Sequence, residues 1–66
     1  MKVNVFKAER VLRGFTAPYV ADQLGMSPGL YRKKERGEIH FSDEEKAKVM
    51  DLFGFTPEQV VDIFIR

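Results

Sequence analysis

A chain of 66 residues, 44% apolar and without cysteine, allows one small domain with a modest core and no disulfide or thiolate zinc site to reinforce it. Its longest apolar runs are two or three residues, which excludes a membrane-spanning helix, and MKVNVFKAERV carries Glu9 where a secretory signal needs an unbroken apolar stretch. Net charge is only +1, yet residues 1–36 hold eight Lys/Arg against three Asp/Glu and residues 37–66 hold three against seven, so a basic half precedes an acidic one.

Turn and cap residues divide the chain into five short helical segments. Asn4 is placed to cap a first helix over 5–13, with Phe6, Val11 and Leu12 among its apolar residues and Gly14 as its stop. Thr16, Ala17 and Pro18 open a second helix that runs to Leu24, with Val20, Ala21 and Leu24 on one face, and Gly25 ends it. Ser27 caps a third helix, 28–36, and Pro28 sits at its first position, where a missing N–H costs nothing and the fixed φ helps. Gly37 closes it, and residues 38–41 form a connector whose Ile39 and Phe41 are expected to tuck under the core. Ser42 with Glu45 spells a capping box for a fourth helix that reaches Phe53 and stops at Gly54, and Asp43, Glu44 and Glu45 suit the positive end of its dipole. Thr56, Pro57 and Gln59 repeat that grammar for a fifth helix, 57–65. The alternation in KVNVF is too short for a strand and runs directly into a helical pattern, so the fold class is all-α.

Helix 17–24, a three-residue break and helix 28–36 have the spacing of a helix-turn-helix. At roughly 100° per residue, Leu30, Tyr31 and Lys34 fall on one side of the third helix, and Pro28, Gly29, Arg32, Lys33 and Arg36 on the other. The second side is bare at its N-terminal tip and cationic toward its C-terminus. Such a helix suits the major groove of double-stranded DNA: the tip comes closest to base edges, and the later cations reach base acceptors or phosphates. The competing account is that RKKER is simply a solvated face.

Through these residues the chain resembles the Cro/cI/Xre helix-turn-helix family of phage repressors and small bacterial regulators. The matching positions are Arg10, Gly14, Thr16, the run Val20-Ala21-Asp22-Gln23-Leu24-Gly25, Ser27 and Glu35-Arg36-Gly37, and the likeness spans about residues 5–64. It implies a single five-helix, lambda-repressor-like domain over residues 1–66. In that pattern Ala21 is the small residue at which the second and third helices cross. Arg10 and Glu35 take the places of a partly buried, bidentate ion pair. The resemblance further implies a sequence-specific DNA-binding regulator in the cytoplasm of a bacterial host, with an operator duplex as its partner. The chain departs from the pattern at Ala17, where a phosphate-clamping glutamine is usual, and at Pro28 and Gly29, where Gln, Ser or Thr is usual. Base reading then falls on Arg32 and Lys33, and on DNA shape. Ser27, Arg36 and Lys34 hold the backbone together with the start of the second helix at Ala17. Lys34, at a usually apolar position, packs its stem while its ammonium snorkels outward.

Catalysis has little support. His40 is the only histidine, so no His-based metal cluster exists; Ser27 and Ser42 are explained as caps, and Asp43, Glu44 and Glu45 as dipole-complementing residues. No cofactor, metal or small-molecule ligand is implied. A protein-interaction role is the rival. In PEQVVDIFI, Val60 and Phe64 fill a core face while Val61 and Ile65 form a second apolar stripe, and a helix apolar on two sides needs two partners. Either a small core wraps this helix on all sides, or the stripe is a homodimer contact or the grip of an antirepressor on a partner repressor.

Overall fold

A computed structural model describes residues 1–66 as helices joined by short turns, with no strand. The first helix, α1 (Val3–Leu12), starts two residues before the expected boundary. Asn4 lies inside it, and its N-cap is Lys2, whose side chain caps nothing. The other end of the chain sets this start: the Lys2 N–H donates to the Ile63 carbonyl at 2.7 Å, and the Lys2 ammonium meets Asp62 Oδ1 at 2.7 Å. Val11 and Leu12, although apolar, point to solvent, with 59% and 79% of their surface exposed. The reason is periodicity. The face of α1 that turns inward carries Phe6, Arg10 and Arg13, spaced four and three residues apart, and only Phe6 is fully buried.

The second helix, α2 (Ala17–Gln23), is capped by Thr16, whose hydroxyl accepts the Tyr19 N–H at 3.2 Å. The third, α3 (Pro28–Glu35), is capped by Ser27, which accepts the Leu30 N–H at 3.2 Å. Between them Gly25 takes a φ of 72°, which lets its own N–H reach the Asp22 carbonyl and the Met26 N–H reach Ala21. A side chain at this left-handed position would be strained, and the paired hydrogen bonds are those of a Schellman turn. α2 and α3 pack directly on one another, with Val20, Ala21 and Leu24 buried on the α2 side and Tyr31 on the α3 side.

Both anticipated capping boxes form. The fourth helix, α4 (Asp43–Phe53), has Ser42 and Glu45 exchanging side-chain and backbone hydrogen bonds, and Gly54 ends it in the left-handed conformation. The fifth, α5 (Pro57–Val60), has the same reciprocal bonds between Thr56 and Gln59. It continues without a break into a wider π turn over Val61–Ile65, closed by the Arg66 N–H on the Val61 carbonyl five residues back. No helix is long and apolar enough to cross a membrane.

The core is an aromatic cluster. Phe6 of α1 sits at its centre, stacked on Phe53 at 5.2 Å between ring centres, with Phe41 at 5.7 Å and Phe64 at 5.8 Å. Aromatic side chains bury more apolar surface per residue than any others, which is how so short a chain closes a core. Phe41 is buried as expected, but Ile39 is 41% exposed, because the connector lays only its last residue under the core. Tyr31 is fully buried, and its hydroxyl has no hydrogen-bond partner. Burial, then the nearby Glu35 charge, push its phenol well above the usual tyrosine range, so it stays neutral.

Candidate nucleic-acid interface

Polar contacts at its far end set the orientation of α3. Arg10 Nε donates to Glu35 Oε1 at 2.7 Å, with both side chains nearly nine-tenths buried. The pair is single rather than the expected bidentate one, because a second guanidinium N–H, on Nη1, is turned to the Phe15 carbonyl at 2.8 Å. One arginine thus ties α3 to both α1 and the turn before α2. Arg13, three residues on, plays a similar part elsewhere: it donates to the Phe53 carbonyl at 2.7 Å and lies over the Phe53 and Phe55 rings.

Lys34 corrects the sequence reading. Its ammonium does not snorkel outward to hold a phosphate; it turns onto Glu45 Oε1, and only 8% of the residue is exposed. The same carboxylate oxygen accepts the Ser42 N–H at 2.9 Å, so one glutamate caps α4 and anchors α3. Burial pushes the Glu45 carboxyl up, but the hydrogen bonds from Lys34 and the Ser42 N–H outweigh it and hold it below the usual range. Leu30, expected to face inward, is 38% exposed. The buried side of α3 is therefore narrower than expected and consists of Tyr31, Lys34 and Glu35.

The outward side is open. Ser27, Pro28, Gly29, Arg32, Lys33 and Arg36 are all exposed, and no part of the chain packs on Gly29 within 4 Å of where a Cβ would stand. Arg32 and Lys33 have no carboxylate partner, whereas Arg36 pairs with Glu38. That pair is half exposed on both sides, so it is weak and exchangeable. The bond from Arg36 holds the Glu38 carboxyl below its usual range. Ala17, at the first position of α2, is half-buried and lines a cleft of about 530 Å³ that opens between α1 and α3. Sequence reasoning overlooked Lys7, which lines the same cleft from α1. Its position three residues before Arg10, on the same side of an α-helix, was the available signal.

The second candidate surface lies on the π turn after α5. Ile63 is buried there and Val60 and Phe64 pack at the core edge, while Val61 and Ile65 are 36% and 72% exposed. Comparison with protein-family models, with curated proteins and with solved structures gives no match for this chain.

Proposed function

We propose that this chain is a sequence-specific DNA-binding regulator of transcription, a Cro-like repressor of a phage or bacterium, acting in the host cytoplasm without cofactor or catalysis. In this reading α2 and α3 form the helix-turn-helix and α3 enters the major groove. One observation carries it: Arg32 and Lys33 stand outward and unpaired on α3, beside an uncovered Pro28-Gly29 tip. Unpaired exposed cations on one helix face offer donors to guanine O6 and N7 or to phosphate. The bare tip brings the helix axis close to base edges, and the proline ring adds apolar contact only. The interior ion pairs support the reading, since a reading helix has to hold its angle against the helices that carry it.

The test is a titration of the chain's own upstream duplex against an unrelated duplex at two salt concentrations. The parent should prefer the upstream DNA and lose affinity steeply with salt. Each phosphate contact removed by Arg32→Ala or Lys33→Ala should lower the log–log slope by about one unit, and a lost base contact should narrow the preference. Unchanged affinity in both variants at fixed salt refutes the assignment of this face.

A second reading, a homodimer contact or an antirepressor grip on a partner repressor, is favoured by the exposure of Ile65 next to Val61. The antirepressor form requires little duplex binding and a stable complex with a neighbouring repressor that Val61→Asp or Ile65→Asp abolishes, whereas a homodimer contact is compatible with duplex binding.

A further inference from the structure

We propose that the cleft between α1 and α3 seats a backbone phosphate of bound DNA, and that Lys7 is a phosphate-binding residue of this protein. The proposal rests on the DNA-binding reading of α3 and extends it onto α1. The cleft holds about 530 Å³ and is lined by Lys7, Arg10, Arg32 and Arg36, with Asn4 and a single carboxylate, Glu35. That carboxylate is already engaged by Arg10 Nε at 2.7 Å, so it does not neutralise the other cations. Neither Lys7 nor Arg32 has an acidic partner anywhere in the molecule.

Arg10 itself points to a missing acceptor. A guanidinium carries five N–H donors. One on Nε goes to Glu35 and one on Nη1 to the Phe15 carbonyl, which leaves the Nη2 group without any acceptor in the protein. The Tyr31 hydroxyl is the only side-chain polar atom sealed from solvent without a partner, so the spare Arg10 donors reach the outside, and Arg10 is part of the cleft wall. An oxyanion placed there would take charge-assisted hydrogen bonds from Arg10, with Lys7 and Asn4 lining the same cleft. Partial enclosure strengthens each of these attractions over its value on an open surface.

The chemistry could suit a small free phosphate, but continuity favours the nucleic-acid backbone. Arg32 belongs both to the outward face of α3 and to the cleft wall, and Arg36 closes the same row one turn later. A strand whose bases meet the α3 tip can therefore run its phosphates along this row into the cleft, where α1 holds it from the other side.

The experiment measures binding of the upstream and unrelated duplexes by fluorescence anisotropy over a salt series. It compares the parent with Lys7→Ala, Lys7→Arg, Arg32→Ala and, as a control distant in sequence, Lys48→Ala on α4. Lys7 is exposed, so the variants fold, which a thermal melt checks. Lys7→Ala should weaken both duplexes by a similar factor and lower the log–log salt slope by about one unit. Lys7→Arg should restore the slope, and Lys48→Ala should leave it at the parent value. A parent slope in Lys7→Ala, with a reduced one in Arg32→Ala, overturns the cleft proposal and leaves the reading of α3 standing. Loss confined to the upstream duplex makes Lys7 a base reader and overturns the phosphate assignment. Absence of duplex binding by the parent removes both. Inorganic phosphate at millimolar concentration that protects the parent against thermal unfolding as strongly as DNA does would make the site one for free anions and overturn the backbone assignment.

Discussion

Replacing Glu35 with leucine strands the Arg10 guanidinium between α1 and α3 with its charge unanswered. The parent pair meets at 2.7 Å, and the side chains retain only 12% and 10% of their exposure. Breaking a fully buried pair from one side costs about 3–5 kcal/mol. Here the cost should be lower, about 2–3 kcal/mol, because Arg10 keeps the Phe15 carbonyl and its outer nitrogen still reaches water. A domain of this length has a total stability of about 3–10 kcal/mol, so the variant should sit near the edge of folding, with its melting temperature lowered by roughly 10–20 °C. Arg10→Met should cost less than Glu35→Leu if its thioether chain fills the stem's place, although it leaves the Glu35 carboxylate unpaired. The double variant removes both charges and should recover most of the loss, because a buried pair contributes little against an apolar pair of similar volume. Urea unfolding of the four proteins, followed by far-ultraviolet circular dichroism, gives the coupling energy directly. Single variants each within about 0.5 kcal/mol of the parent, with no recovery in the double, would show that the pair is not what holds α3 in place.

Tyr31→Phe removes a buried hydroxyl that has no partner, so it should leave stability unchanged or raise it by up to about 1 kcal/mol. A loss of that size in urea unfolding would instead mean that the hydroxyl donates to Glu35. Glu45→Gln keeps an acceptor for the Ser42 N–H but removes the charge that faces Lys34. The Glu45 carboxyl is held below its ordinary value of 4.5 in the folded chain. Its contribution to stability is therefore fully present above that value and fades as pH falls through the lower folded value. The parent's urea midpoint should fall more than the variant's between about pH 5 and pH 3, and parallel curves would refute the role given to the Lys34 contact.

Local chemistry was legible along the chain wherever the interacting groups lie within four or five residues of one another. Ser42 with Glu45, Thr56 with Gln59, Ser27 ahead of Pro28, and Gly25 after Leu24 each define a helix end through bonds that close inside one turn, and each forms as its residues dictate. The outward row of Arg32, Lys33 and Arg36 follows from helical periodicity, with Tyr31 supplying the opposite, buried side. The pairing of Arg10 with Glu35 was accessible only through the resemblance, because the two residues stand 25 apart.

What remained for the tertiary structure was the fate of side chains that have both an apolar stem and a polar end. Arg10, Arg13 and Lys34 occupy inward positions because carbonyls and carboxylates brought from Phe15, Phe53 and Glu45 meet their charged ends there. Val11, Leu12 and Ile39, apolar by composition, stay outside because no surface arrives to cover them. The first turn of α1 begins at Val3 because residues 62 and 63 come back to meet Lys2. The sequence by itself determined where α2, α3, α4 and α5 begin and which face of α3 is cationic, since those depend on neighbours one turn away. Only the packed fold decided which charges were consumed in the interior and which, with Lys7 among them, were left facing out, since burial is a property of what the rest of the chain brings to a position.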